Sequence, residues 1–373
     1  MMNEQRVLAE FFELVKMKAS TRAERQVADV LKTKLTQLGL EVSEDNTGEK
    51  IGGNCGNVLG FWPGSVVGAP RLMFTAHMDC VECCEGIEPV LKDGVITSAG
   101  DTVLGSDDKA GVVAILEALR LIREEKAPHG DIQVIFTVAE EGGLNGSKNM
   151  DRTLLRADFG YALDSSGAPG EIITMAPGQD KIEAVIHGKK AHAGVAPEEG
   201  LNAIVVASRC LADMKQGRID FETTANIGVI KGGTVTNIVP DRVEVIAEAR
   251  SRNREKLVAQ TAHMREMFEK VAAANGGRAE VKVTKSYDPY VLAEDSPVVD
   301  IARRAAVSIG LVPECKGTGG GSDANFFNSY GVPTTVLGTG MSKVHTSDEF
   351  ILEKDLYTNC RMVHAIIKTA ANV

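Results

Sequence analysis

Leu72-Met73-Phe74-Thr75-Ala76-His77-Met78-Asp79 decides how this chain is read. The apolar run at its start continues over residues 71–76 as a strand, and the strand delivers a histidine and an aspartate at its carboxyl end. The same arrangement recurs. Ile132–Val138 is a continuous β-branched and aromatic run, the mark of a buried strand, and Glu140-Glu141 follows it. Tyr161–Leu163 is a short strand followed by Asp164. Asp107-Asp108 opens a helix over Lys109–Arg123, whose Val112, Ile115, Leu116, Leu119 and Ile122 fall on one face. Strands alternating with helices over residues 57–165 predict an α/β domain with a mainly parallel central sheet covered by helices.

In an open α/β sheet, ligands bind beyond the carboxyl ends of the strands. Imidazole and carboxylate groups gathered there are the usual ligands of catalytic zinc, with cobalt or manganese as competitors. His77, Asp107, Glu140, Glu141, Asp164 and, far along the chain, His345 therefore form a candidate site for two divalent metals. A shared carboxylate can hold two ions about 3.5–4 Å apart. The adjacent glutamates allow one to ligate while the other moves protons. Asp79, two residues from His77, can steady the ring. Taken singly, each element has an ordinary explanation: a surface His-x-Asp, an acidic helix N-terminus, a solvated turn. Their joint pattern is what points to chemistry.

Elsewhere, residues 3–40 read as helices, with Thr21 three residues before Glu24 as a capping box. Near Ala176-Pro177-Gly178 the rhythm changes to β-α-β-β-α-β, a split α+β arrangement. The α/β pattern resumes after about residue 290. The expected organisation is a catalytic domain of residues 1–177 and 290–373, with a ferredoxin-like domain of residues 178–289 inserted into it.

A net charge of −10 with no basic run argues against a nucleic-acid surface. No apolar stretch is long enough to span a bilayer, and the N-terminus lacks the pattern of a signal peptide. The seven cysteines are then expected as reduced thiols in a cytoplasmic protein. Cys80, Cys83 and Cys84 cluster just after Asp79, with no second pair to complete a four-sulfur zinc site.

The segments Thr75-Ala76-His77-Met78-Asp79, Leu104-Gly105-Ser106-Asp107-Asp108-Lys109-Ala110-Gly111, Ala139-Glu140-Glu141-Gly142, Leu163-Asp164 and Val344-His345 together resemble the M20 metallopeptidases. The resemblance covers essentially the whole chain and is closest to the peptidase T-like (tripeptide aminopeptidase) branch. It implies a zinc-exopeptidase-like fold and these roles. Asp107 bridges two metals, His77 and Asp164 complete one, and Glu141 and His345 complete the other. Glu140 is the general base that takes a proton from a bridging water, Asp79 orients His77, and Asp108 need not be a ligand.

The resemblance also implies residues of the inserted domain. His192, in Lys190-Ala191-His192-Ala193-Gly194, would stabilise the tetrahedral oxyanion. Asn237 and Arg250 would contact substrate, Arg250 through a carboxylate. Gly320, in Gly319-Gly320-Gly321-Ser322-Asp323, would offer backbone amides to the substrate, although Ser322 as a helix cap explains that loop equally well. Asn237 can equally shape the turn before Pro240, and Arg250 can pair on a sheet face. His129, His187 and His263 read as structural or surface residues. The inserted domain suggests a homodimer joined through it.

The expected function is hydrolysis of short peptides. An aminoacylase, a carboxypeptidase or another amidohydrolase acting on N-acyl amino acids would use the same scaffold. From a different class, an inactive small-molecule-binding homologue would keep the fold without the chemistry.

Overall fold

The structure, a computed structural model, describes residues 2–372. The chain divides into two compact units. One holds the chain up to Thr174, Leu292–Gly317 and everything from Ser322; the other holds Met175–Val291 and Thr318–Gly321.

The first unit is built on a twisted sheet. Its strand order is Glu41–Glu44, Val58–Trp62, Ile132–Thr137, Leu72–His77, Phe159–Ser165, Thr334–Gly338 and Glu171–Ala176. The four central strands run parallel, and antiparallel pairing is confined to the flanks. Every residue of Leu72–His77 and of Ile132–Thr137 is buried, because helices cover both faces. Alternation along the central strand splits its side chains between two apolar clusters. Leu72, Phe74 and Ala76 enter the main core with the helices Glu4–Val15, Ser106–Glu125, Pro297–Ser308 and Glu353–Ala370, while Met73 joins Ile135, Met150 and Phe327 on the other face. The parallel run leaves the carboxyl ends of Leu72–His77, Ile132–Thr137 and Phe159–Ser165 on one edge of the sheet, as the sequence pattern predicts. A small sheet, ordered Phe350–Leu352, Val95–Ser98, Pro89–Lys92, lies apart from it.

The second unit is a five-stranded antiparallel sheet ordered Gly217–Arg218, Thr223–Gly232, Arg242–Ser251, Gly178–His187, Arg278–Tyr287. Helices Ala203–Ala212 and Arg254–Ala274 pack Val206, Cys210, Met264 and Phe268 onto Ile182, Ile186, Val243 and Val245. The strand Gly178–His187 alternates buried with half-buried or exposed positions, so one sheet face is packed more closely than the other. Gly321, in this unit, runs close to Tyr287: a Cβ there would lie 2.4 Å from the ring.

One local expectation fails. Thr21 does not cap the helix Arg25–Gln37, which starts at Glu24 without a side-chain cap. Thr21 instead donates to Asp79 Oδ2 at 2.8 Å. Glu24 is fully buried and accepts the Arg22 and Ala139 amides. The spacing of a capping box is present, but the buried Asp79 carboxylate takes the Thr21 hydroxyl, and one adjacent and one distant amide take the Glu24 carboxylate. The C-terminal helix Glu353–Ala370 and the hairpin Pro89–Ser98 went unpredicted. No helix among the described residues is long and apolar enough to cross a membrane.

Candidate metal centre

Three strand ends and two loops converge in the first unit. His77 ends its strand with Nε2 2.9 Å from Asp107 Oδ1 and 3.9 Å from Asp164 Oδ1. The other oxygen of Asp107, Oδ2, lies 3.3 Å from His345 Nε2, which is also 2.9 Å from Glu141 Oε1. Three groups thus have donor atoms within 4.8 Å of one another: His77, Asp107 and Asp164; His77, Glu140 and Glu141; and Asp107, Glu141 and His345. Asp107 faces both ways, one oxygen to each histidine.

Local backbone makes this possible. The helix Ser106–Glu125 carries non-helical dihedrals at Asp107 and Asp108, so both acids sit in an irregular entry turn rather than on a regular helix face. Asp108 does not point its acceptors at the histidine rings. It accepts the backbone N–H of His77 and of Gly111, each at 3.2 Å, and so pins the strand end to the helix start. Ala139 and His345 adopt positive φ at the bends that present Glu140 and His345. Buried Lys109 donates to the Met78 carbonyl at 2.6 Å, tying the helix to the segment between His77 and Asp79.

Asp79 is fully buried and does more than expected of it. Its carboxylate is 3.4 Å from His77 Nδ1, while its backbone carbonyl is nearer, at 3.1 Å. The carboxylate accepts the backbone N–H of Glu140 at 2.9 Å and of Glu141 at 3.2 Å, together with the Thr21 hydroxyl. It therefore steadies the ring and the Glu140-Glu141 turn at once.

The electrostatics describe a site crowded with negative charge. Burial alone would lower the His77 pKa, but Asp107 and Asp79 raise it well above its ordinary value. Hydrogen bonds to Asp107 and Glu141 raise His345 to about 10. Burial would raise Asp107, but contacts with His345 and His77 hold it below the usual carboxylate range. Burial pushes Glu140 and Asp164 well up, helped by the Asp164 charge for Glu140 and by the Asp107 charge for Asp164. Glu141 Oε1 faces His345 Nε2 at 2.9 Å. A donor set of imidazole and carboxylate oxygen, and an excess of acids over bases in it, both fit divalent cations.

In the second unit, His192 and Asn237 come together. The Ala193 amide donates to the Asn237 carbonyl at 3.0 Å, and the Val239 amide to Ala191 at 2.9 Å. His192 Nδ1 accepts the Gly194 amide at 3.2 Å, leaving Nε2 as the free ring position. Arg250 is engaged by Glu248 on its own strand, Nε to Oε1 at 2.8 Å and Nη2 to Oε2 at 3.1 Å. Gly320 has an open α-carbon, and its amide donates to Thr318 Oγ1 at 3.2 Å. Ser322 caps the helix Asp323–Ser329 with a capping box to Asn325. Of the remaining histidines, His129 packs at a tilt against Trp62, His187 lies 3.4 Å from Glu280 and His263 accepts the Lys215 amide.

Three further groups around the centre, Thr21, Asp323 and Glu349, carry no ligand motif in the sequence. Thr21 reaches Asp79. Asp323 accepts from Thr137 and Ser147. Glu349 accepts from the loop leading into Asp107. For Glu349, its position four residues beyond His345 was the available signal.

Residues 73–369 match the pattern of peptidase family M20/M25/M40. The aminopeptidase PepT from Bacillus cereus ATCC 10987 is 47% identical and superposes with a TM-score of 0.92, with 99% of each chain covered. A tripeptidase from Staphylococcus aureus subsp. aureus Mu50 is 42% identical, with a TM-score of 0.97 and all of both chains covered. The uncharacterized protein YqjE of Bacillus subtilis (strain 168) is 46% identical over 371 residues, again with all of both chains covered. This chain belongs to peptidase family M20/M25/M40, on its peptidase T-like branch, and is a metal-dependent peptidase.

Proposed function

We propose that this protein is a two-metal aminopeptidase that hydrolyses short peptides, tripeptides above all. The observation that carries the reading is the Asp107 carboxylate, which turns one oxygen to His77 at 2.9 Å and the other to His345 at 3.3 Å. Asp164 stands beyond the first histidine and Glu141 beyond the second. Asp107 would be shared between the ions, with His77 and Asp164 on one side and Glu141 and His345 on the other. When bound, the ions (zinc by this donor set, with cobalt or manganese as competitors) polarise the scissile carbonyl and make water acidic enough to attack at neutral pH.

The chain's own groups supply the rest. Glu140 takes the proton of the attacking water on its carboxylate and passes it to the leaving amine. Asp79 holds Glu140 in register through the backbone amide. His192, with Nε2 free, donates to the oxyanion, and Asn237 beside it contacts substrate. Arg250 and the Gly320 loop receive the substrate's carboxylate or backbone; a substrate carboxylate would have to draw Arg250 from Glu248. The second unit serves as lid and as the joint of a homodimer, and the protein works in the cytoplasm.

The names of the aminopeptidase and tripeptidase relatives at 47% and 42% identity favour peptides over N-acyl amino acids. The zinc-loaded protein should cleave Ala-Ala-Ala and release its N-terminal alanine. Cleavage of N-acetyl amino acids in preference to tripeptides would move the assignment to an aminoacylase. No hydrolysis of either would leave an inactive homologue.

A further inference from the structure

Glu349 is buried at 2% exposure, and its carboxylate is wrapped by a single loop. Oε2 accepts the backbone N–H of Leu104 and of Gly105, both at 2.9 Å. Oε1 accepts the Ser106 hydroxyl at 2.6 Å and the backbone N–H of Asp107 at 3.2 Å. Gly105 has φ +71, a left-handed conformation that lets successive amides point to one acceptor. The carboxylate thus fixes the backbone of the residue whose side chain faces both histidines.

The other end of the relationship is His345. Ser342 and Phe350 exchange backbone hydrogen bonds at 2.9 and 3.0 Å and close a turn with His345 in it. Glu349 stands at the base of that turn, where its own amide donates to Thr346 O at 3.1 Å. His345 itself is half exposed and has positive φ, so its ring is held by the turn rather than by packing. Nothing else in this turn grips the loop 104–107 with a charged acceptor.

We propose that Glu349 is a positioning residue. It locks the His345 turn to the Asp107 loop and so sets the spacing between two groups of one metal position. The proposal rests on reading Asp107, Glu141 and His345 as metal ligands. Partners of this kind, one shell out from the ion, typically change metal affinity by about 10–100-fold when altered. The mechanism is preorganisation: without the clamp, ion binding must also order the turn.

The test is zinc titration of the metal-free protein against a chromophoric chelator, with the visible spectrum of the cobalt-loaded protein as a second readout. Glu349→Gln replaces an acceptor by an amide that opposes two of the donors. One of the two zinc equivalents should bind about 10–100-fold more weakly, and the cobalt spectrum should shift. Ser106→Ala removes one donor and leaves the carboxylate in place, so it carries the test if Glu349→Gln does not fold; its zinc affinity should fall several-fold. Variants that melt earlier but keep wild-type zinc affinity and an unchanged cobalt spectrum would show a merely structural residue and overturn the proposal. A wild-type chain that binds no zinc would overturn the metal-site reading, and this inference with it.

Discussion

The backbone amide of Glu140 donates to Asp79 Oδ1 at 2.9 Å, so the residue beside the histidine also holds the proposed base. Asp79→Asn keeps the shape but sets an amide group against the donors that the carboxylate accepts. Activity should fall by about 10–100-fold, the range seen when partners one shell out are altered. The fall should appear in kcat, since the groups misplaced are those that move protons. Steady-state kinetics on Ala-Ala-Ala with near-wild-type kcat would show that the Glu140-Glu141 turn does not depend on this acceptor.

Glu140 and His345 should separate chemistry from metal binding. Glu140→Ala removes the proton shuttle and leaves Asp107, Asp164, Glu141 and both histidines. It should retain both metal equivalents and lose turnover by on the order of 100- to 10,000-fold. His345→Ala should lose one equivalent. Metal analysis of the purified variants beside their kcat checks both, and near-normal turnover in Glu140→Ala would sink the assigned base.

Stripping the metals should destabilise the first unit. Asp107, Glu140 and the half-buried Asp164 stand close together, with the His77 and His345 rings between them. Any ion that binds the folded chain alone adds stability by mass action, about 2.7 kcal/mol per site at a hundredfold excess over Kd. Chelator should lower the melting temperature by several degrees and zinc should restore it. Calorimetry showing one melting temperature in chelator and in zinc would contradict a metal site here.

The ligands were legible because of where the chain puts them. His77, Glu140-Glu141 and Asp164 each follow a run of buried strand residues, and a parallel sheet leaves such ends on one edge. Thr21, Asp323 and Glu349 were not legible for the converse reason. Each works through partners far along the chain: Glu349 receives amides from residues more than 240 positions away. Such contacts leave no periodicity to read. Thr21 even carried the signature of a helix cap, and the buried Asp79 claimed its hydroxyl.

Acid stability should depend on Glu44. Arg25 grips its carboxylate at 2.5 and 2.8 Å, Lys32 adds a contact at 2.7 Å, and the pKa falls from 4.5 to about 2 despite partial burial. A depressed folded-state pKa stabilises the fold above the unfolded value, and that contribution fades as pH falls from 4.5 toward 2. Glu44→Gln should therefore cost about 1 kcal/mol or less near neutrality, given the partial exposure. The gap to wild type should narrow in acid. Urea melts at several pH values between 7 and 3 test this, and a gap that widened toward acid would refute the sign.

The cysteines beside the site should make the enzyme sensitive to peroxide. Cys80 follows Asp79 directly, and its thiol hydrogen-bonds Cys84, lowering Cys84 to about 6 against the effect of burial. The Ser20 hydroxyl lies 3.5 Å from the same sulfur. Cys84 is then largely thiolate at neutral pH, the nucleophilic form. Peroxide would oxidise it to the sulfenic acid, releasing water. The Cys80 thiol would then displace a second water and form a disulfide. Drawing the two sulfurs to about 2.05 Å would pull on Asp79, the residue that steadies His77 and Glu140. Peroxide should lower wild-type activity, reductant should restore it, and Cys84→Ser should be insensitive. Equal losses in wild type and Cys84→Ser would place the oxidation elsewhere.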